Sequence, residues 1–352
     1  MNQILAKITH QFTKELPFVC FRKPNNLSSL KGYFCSSRTT NFTEDFQESG
    51  FVFAPFDFRE KSLIFLDKKS EILVENIVHL EDVESKFDHQ PHSLKKDQYI
   101  ALVEKAMKAI ESGRFKKVVL SRKEVLEVGH LEIAAVFSRL LYRYRHAFVY
   151  VWFHPKVGLW MGATPERLIA LKQHQFKTMA LAGTQVFKDD ERPIWGVKEI
   201  EEHQYVVDYI VSQIQNTSNQ ISLKEFSVSK TYTSKAGGLL HLRADITGTL
   251  YHANLRQLIR TLHPTPAICG LPKKRSFDFI MDHEGYDRSF YTGFLGELNV
   301  EETTELFVNL RCMRFKDSQV HIYVGGGITP QSNPFAEWEE TVAKTQTIKS
   351  IL

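Results

Sequence analysis

The sequence predicts one large, sheet-rich α/β domain with helices set among its strands. Three observations predict it. Runs rich in β-branched and aromatic residues recur along the chain, as in AFVYVWF (Ala147–Phe153) and QVHIYVGGGIT (Gln319–Thr329). The helical segments fall between these runs without the regular alternation of a βαβ fold. The 352 residues are 43% hydrophobic, enough for one large core.

The elements follow in order. Residues 1–90 read as short strands and loops, clearest in GFVFAPFDF (Gly50–Phe58) and KSLIFLD (Lys61–Asp67). The polar stretch Glu81–Asp97 reads as a surface connection. Ile100, Val103, Met107 and Ile110 recur at helical spacing, with Gly113 as the stop. Lys116–Val128 reads as a strand and Leu131–Arg145 as a helix. Dense strand patterning then covers Ala147–Phe153, Leu159–Leu171 and Phe176–Thr184. A helix is expected over Gly196–Gln215. Strands are expected over Leu242–Leu250, Phe290–Val300, Glu305–Phe315 and Gln319–Thr329, and a last helix closes the chain.

Composition excludes several functions. The net charge is +4, and no long basic stripe suits nucleic acid. PKKR (Pro272–Arg275) reads as a solvated loop. Cys20, Cys35, Cys269 and Cys312 are widely spaced, which suggests neither a zinc site nor a disulfide framework. The first residues lack the apolar core of a secretory leader. No apolar run approaches the roughly 20 residues that span a bilayer. A reducing, cytoplasmic setting is expected, without membrane or nucleic-acid partners.

Two helices carry charge on their apolar side. From Glu337, a helical stripe takes in Glu340, Lys344, Ile348 and Ile351. In the earlier helix, Glu199 and Glu202 share a stripe with Val206 and Ile210. Four buried, unpaired carboxylates would be costly. A shared divalent cation would remove the cost, and all-oxygen ligands favour Mg²⁺ over Zn²⁺. The alternative is that the helices turn these glutamates to solvent or to Lys and Arg partners. Patterning leaves both open.

Other residues carry the same ambiguity. Lys117 opens a strand and either faces solvent or points into a pocket, where desolvation favours a neutral, basic amine. Glu166 follows Pro165 between two strands. It is a turn residue, or a general acid if burial raises its pKa. GGGIT (Gly325–Thr329) follows an apolar strand and lets backbone N–H groups approach an anion, but it is no nucleotide motif. Arg311, read as lying on a strand, is a structural ion-pair partner or a carboxylate fork. His241 is a core histidine or a ligand-facing donor.

In order, KVVLSR, GATPERL, LAGT, KEIEEH, HLRADITGTL, LHPTPAICGLP, YTGFLGEL, LRCM, GGGIT and EWEETVAK resemble the chorismate-utilising enzymes. That family includes isochorismate synthase, salicylate synthase, anthranilate synthase component I and aminodeoxychorismate synthase component I. The resemblance runs from about Asp97 to the C-terminus. It implies two large, mainly antiparallel sheets packed as a sandwich and flanked by helices. Residues 1–95 would be a β-rich part of that fold and 96–352 its catalytic core.

The resemblance also implies chemistry. Water-adding members have a lysine where Lys117 stands. Aminodeoxychorismate synthases have a nucleophilic lysine where Ala182 stands in ALAGT. The implied activity is therefore isochorismate synthase, with chorismate as substrate, serving menaquinone or siderophore synthesis. Salicylate synthase is the near alternative, and a non-catalytic chorismate-binding homologue a more distant one. Lys117 would be the base and Glu166 the acid. Glu202 and Glu340 would bind Mg²⁺, with Glu199 and Glu337 reaching it through water. Tyr291, Arg311 and the backbone of Gly325 and Gly327 would hold the enolpyruvyl carboxylate. Lys344 would sit by the ring carboxylate, and Thr184 and His241 would line the ring pocket. No glutaminase subunit is expected, and relatives are often monomers.

Overall fold

Two antiparallel sheets carry the chain, and the site lies where strands leave one sheet for the other. The computed structural model describes residues 2–77, 94–187, 193–217, 223–236, 239–250 and 254–352. Most of the polar connection at Glu81–Asp97 therefore lies outside the described residues. Among the described residues the first sheet has nine strands. Their order is Gly270–Leu271, Lys117–Glu127, Gln319–Ile328, Cys312–Lys316, Gly158–Thr164, Phe148–His154, Phe18–Arg22, Ser29–Cys35 and Ser70–Asn76. The second has ten. Nine run in the order Leu223–Val228, Leu239–Leu250, Gln175–Val186, Arg167–Lys172, Thr303–Val308, Phe294–Val300, Gly50–Ala54, Ser62–Leu66 and Phe42–Thr43, and Tyr232–Ala236 also pairs with Leu239–Leu250.

An aromatic layer packs between the sheets. Phe21, Phe148, Trp152 and Trp160 from the first meet Phe51, Phe53 and Phe307 from the second. Phe148 stacks on Phe307 with ring centroids 4.3 Å apart, a geometry that adds to simple area burial. The outer faces are covered by helices. Asn2–Thr13 and Ile133–Arg143 pack on the first sheet, and Val197–Asn216 and Leu255–Leu262 on the second. The helix Leu94–Glu111 buries Val103 and Ile110 on the predicted stripe and packs against the C-terminal helix Pro334–Lys349. Among the described residues no helix is long and apolar enough to cross a membrane.

The structure corrects five expectations. Asn2–Thr13 is a helix rather than strand or loop, because Ile4 and Ile8 repeat at i,i+4 and both are buried. PKKR opens the helix Lys273–His283 instead of forming a loop; Lys273 donates to the His263 carbonyl at 2.8 Å. The strand expected from Phe290 begins only at Phe294. The three glycines do not follow the apolar strand but continue it, as the strand expected over Gln319–Thr329 has them. They lie within Gln319–Ile328 and pair with Leu120, Ser121 and Val119 of the neighbouring strand.

The fifth correction concerns continuity. Leu159–Leu171 and Glu305–Phe315 are not single strands. Each breaks and passes from one sheet to the other, at 165–166 and at 309–311. Arg311 is therefore in a crossing segment, with φ +47°, and not on a strand. The crossings lie side by side. Val308 N donates to Glu166 O at 2.9 Å, and Ala163 N donates to Arg311 O at 3.1 Å. Buried Asn309 locks them, accepting from Tyr150 Oη at 2.6 Å and donating to Phe290 O at 2.9 Å.

Candidate active site

The crossings place Glu166 and Arg311 on the wall of one cavity. Its lining also includes Thr184, Glu202, His241, Tyr291, Gly325, Gly326, Gly327, Glu340 and Lys344. Of the residues singled out from sequence, only Lys117, Glu199 and Glu337 are outside the lining. Lys117 stands directly behind it, and Glu337 is buried beside Glu340. Glu199 turns its carboxylate back toward Gly196 at the start of its own helix.

The strand Lys117–Glu127 sits between Gln319–Ile328 and the short Gly270–Leu271. That position leaves Lys117 fully buried. Its Nζ stands 3.0 Å from Glu202 Oε1, at ion-pair distance but outside hydrogen-bonding alignment. Burial works against the Glu202 charge, yet the ammonium groups of Lys117, Lys198 and Lys344 hold its carboxyl below the ordinary value. Glu166 is in the opposite situation. Burial pushes its carboxyl up to about 8, against a smaller downward pull from Lys117. It is a neutral acid at pH 7.

The C-terminal helix brings the second charged face. Asn333 caps it, accepting from the Phe335 and Ala336 amides at 3.0 and 3.1 Å, and Pro334 takes the first turn. Lys344 Nζ donates to Glu340 Oε1 at 2.6 Å and to Gly325 O at 2.9 Å. Glu337 accepts from Lys198 at 2.5 Å and from Ser332 at 2.7 Å, and its other oxygen is buried without a partner. Burial, and Glu340 beside it, push the Glu337 carboxyl up against the pull of Lys198. Arg122 anchors the helix to the Lys117 strand. It donates to Thr341 at 2.8 Å and lies 4.4 Å over the Trp338 ring.

The glycines are needed for close approach, and none of the three has positive φ. The strand Cys312–Lys316 ends opposite Tyr323, so beyond it one edge of Gly325–Gly327 faces the cavity. A Cβ at Gly327 would land on Glu202 Oε1 and stand 3.0 Å from Lys117 Cε. Gly327→Ala is expected to lower turnover about 100-fold by displacing that pair by roughly 1 Å. Steady-state kinetics beside a thermal melt close to wild type would show it.

On the other wall, His241 and Arg311 form a chain. His241 Nδ1–H donates to Gly183 O at 2.9 Å, which leaves Nε2 to accept from Arg311 Nη2 at 2.6 Å. Burial and the adjacent Arg311 hold the imidazole well below its ordinary pKa, so it stays neutral. Burial lowers Arg311 to about 10, which leaves it charged at neutral pH. Tyr291 stacks on Tyr323 with centroids 5.4 Å apart.

Sequence reasoning missed Lys198 and the Glu284–Arg288 pair. Lys198 stands four residues before Glu202, on the helix face already singled out, so its signal was present. Burial works against it, but Glu337, Glu340 and Glu202 hold its ammonium above the ordinary value. Buried Arg288 pairs with Glu284 at 2.5 Å and donates to Val119 O at 2.7 Å, bracing the strand that carries Lys117. Glu284 and Arg288 stand four apart, so the spacing of the pair was also in the sequence, but its packing against Val119 was not.

Residues 59–352 match the family described as chorismate binding enzyme. The chain belongs to the chorismate binding enzyme family. It is 30% identical over 266 residues to the salicylate biosynthesis isochorismate synthase of Pseudomonas aeruginosa, covering 72% of this chain and 54% of that protein. It is 29% identical over 269 residues to isochorismate synthase MenF of Bacillus subtilis, covering 74% and 56%. The matched part thus spans about half the length of these curated relatives. The solved structure of MenF, the menaquinone-specific isochorismate synthase of Escherichia coli, superimposes with a TM-score of 0.78 at 21% identity, over 96% of this chain and 88% of that one. The two-sheet fold is thus that of the chorismate binding enzymes. Its crossing strands and two acidic helices meet at the charged cavity that Glu166, Glu202, Arg311, Glu340 and Lys344 line.

Proposed function

We propose that this chorismate binding enzyme is an isochorismate synthase. One observation carries the reading: a buried lysine and a buried, neutral carboxyl flank a cavity lined by Arg311 and Lys344. Water adds at C2 of chorismate, the ring double bonds shift, and the C4 hydroxyl leaves. In its neutral form Lys117 takes the proton from the incoming water, becoming the ammonium that faces Glu202, and Glu166 gives one to the departing hydroxyl. Substrate and product are isomers, so the atoms and electrons balance without a redox partner. Arg311 and Tyr291 hold the enolpyruvyl carboxylate, assisted by backbone N–H groups of Gly325 and Gly327. Lys344 stands by the ring carboxylate, and Thr184 and His241 bound the ring. Ala182 lines the cavity where a covalent lysine would be needed for the amine-transferring route.

The residues present fit Mg²⁺. Among the described residues, no three His, Cys, Asp or Glu side chains form a group that could hold a metal by themselves. Two cavity-facing carboxylates, Glu202 and Glu340, remain, with the unpartnered Glu337 oxygen beside them. Mg²⁺ is typically held this way, by one or two carboxylates with water and substrate oxygens completing the shell. Glu202 and Glu340 would hold it directly and Glu337 through water, whereas Glu199, turned back toward Gly196, would have to swing round to join them. When bound it neutralises the ring carboxylate and fixes its position. Glu340→Gln is expected to raise the half-saturating Mg²⁺ concentration at least tenfold. Its melting temperature should stay within a few degrees, because Lys344 keeps its bond to Gly325 O and the partly exposed Lys344–Glu340 pair contributes about 1 kcal/mol or less.

Incubation with chorismate and Mg²⁺, followed by separation of the products, tests the reading. Isochorismate is the expected product. Salicylate fluorescence with release of pyruvate would reassign the chain to salicylate synthesis. Chorismate binding without turnover would leave a binding homologue. The relative named for salicylate biosynthesis gives the second outcome its interest. Gln185, where salicylate synthases have arginine, donates to Ile194 O at 2.6 Å and is not part of the cavity lining.

A further inference from the structure

A second cavity, of about 810 Å³, opens against the first and shares Pro165 and Arg311 in its wall. Its described lining includes Arg143, Arg145, Lys235, Arg243 and Arg311 and contains no carboxylate. Some of this charge is already compensated. Arg243 pairs with Asp245 at 2.7 Å, and Arg143 donates to the Ser350 carbonyl. Arg145 and Lys235 differ. Both are exposed, and among the described residues neither has a carboxylate partner. Each lies over an aromatic ring, Arg145 over Tyr142 at 5.4 Å and Lys235 over Phe187 at 3.1 Å.

A basic surface patch is usually a solvated face. Two features set this one apart. It is concave, and concavity with low-dielectric walls focuses the field of the charges that line it. It also ends on Arg311, the residue that bounds the inner cavity, whereas Glu202 and Glu340 lie on the inner lining alone. Among the described residues, every charged side chain that an anion arriving through this cleft passes before Arg311 is basic.

We propose that the cleft is the entrance to the site and a vestibule for a small dicarboxylate, held by Arg145 and Lys235 before Arg311 takes one carboxylate. The proposal rests on the chorismate reading for its substrate class. It predicts that entry is electrostatically assisted, and that the assistance resides in two side chains remote from the reacting atoms.

The test compares wild type with Arg145→Gln/Lys235→Gln and Arg145→Glu/Lys235→Glu. At about 10 mM salt, where the Debye length is about 30 Å, the charge-reversed protein should lose about tenfold in kcat/KM for chorismate. Its kcat should stay within twofold, and the neutral variant should fall between. At about 1 M salt, where the Debye length is about 3 Å, the three should converge. Equal kcat/KM at low salt, a gap that persists at high salt, or a loss confined to kcat would overturn the proposal. If wild type turns over no chorismate, the assigned reaction fails and the vestibule is judged by binding. Calorimetry with phthalate, a rigid dicarboxylate, should then show salt-sensitive binding weakened about tenfold by charge reversal. Equal affinities would refute it.

Discussion

Lys117→Ala is expected to lower kcat for isochorismate formation by about 10²–10⁴-fold while chorismate affinity changes only a few-fold. The size follows from the role assigned to one fully buried amine. Lys117 does not line the cavity wall of Arg311 and Tyr291 to which we assign the enolpyruvyl carboxylate, so its loss leaves that wall intact. Truncation also takes a cation from Glu202, and breaking a buried pair can cost about 3–5 kcal/mol. Here the cost should be smaller. Lys198 and Lys344 still act on Glu202, and the burial of the lysine itself no longer has to be offset. Activity and stability therefore separate: a thermal melt should move by a few degrees while turnover collapses. A small primary alkylamine, admitted to the vacated space, should restore part of the rate. Unchanged turnover, or a lost rate that no amine restores despite intact chorismate binding, would count against Lys117 as the base.

The charged stripes were legible because helical periodicity reports which residues share a face. Glu337, Glu340 and Lys344 do turn inward with Ile348 and Ile351, Glu337 being 1% exposed. Periodicity could not choose between a cation and lysine partners, since both satisfy the same carboxylates. The structure matches three of the four acids with a lysine, Glu202 with Lys117, Glu337 with Lys198 and Glu340 with Lys344, while Glu199 turns back toward Gly196. The sheet crossings were illegible for a different reason. A strand that changes sheets keeps its β-branched, aromatic composition on both sides of the break. Pro165 marks one crossing, but Asn309, Leu310 and Arg311 mark the other with no glycine or proline. The identity of the crossing partners depends on pairing between residues about 145 positions apart, such as Val308 with Glu166, and no local window contains both. The N-terminal helix was missed on weaker grounds, for its Ile4 and Ile8 spacing was available.

Glu166→Gln is expected to separate activity from stability in the opposite direction to most active-site changes. Gln cannot give up a proton at neutral pH, so kcat should fall by about 10²–10⁴-fold. Wild-type kcat should decline as pH rises through about 8, where Glu166 ionises, and the variant's residual rate should lack that limb. Stability runs the other way. The folded pKa of about 8 lies above the ordinary carboxyl value of 4.5. The protonated group therefore carries no penalty at low pH. Above the unfolded pKa, the unfolded chain gains stability by ionising while the folded one does not. The loss grows to about 3 kcal/mol at pH 7 and about 5 kcal/mol above about pH 9, where it levels off. These are upper figures, since the side chain can relax toward solvent. Gln is isosteric and uncharged and escapes this loss, so Glu166→Gln should melt higher than wild type, by a margin that widens from pH 5 to pH 9. Thermal melts of the two proteins across that range, run beside chorismate turnover, supply the check. A margin independent of pH would mean that Glu166 is already ionised when folded. In that case it could not protonate the departing hydroxyl, and the acid would have to be sought elsewhere on the cavity wall.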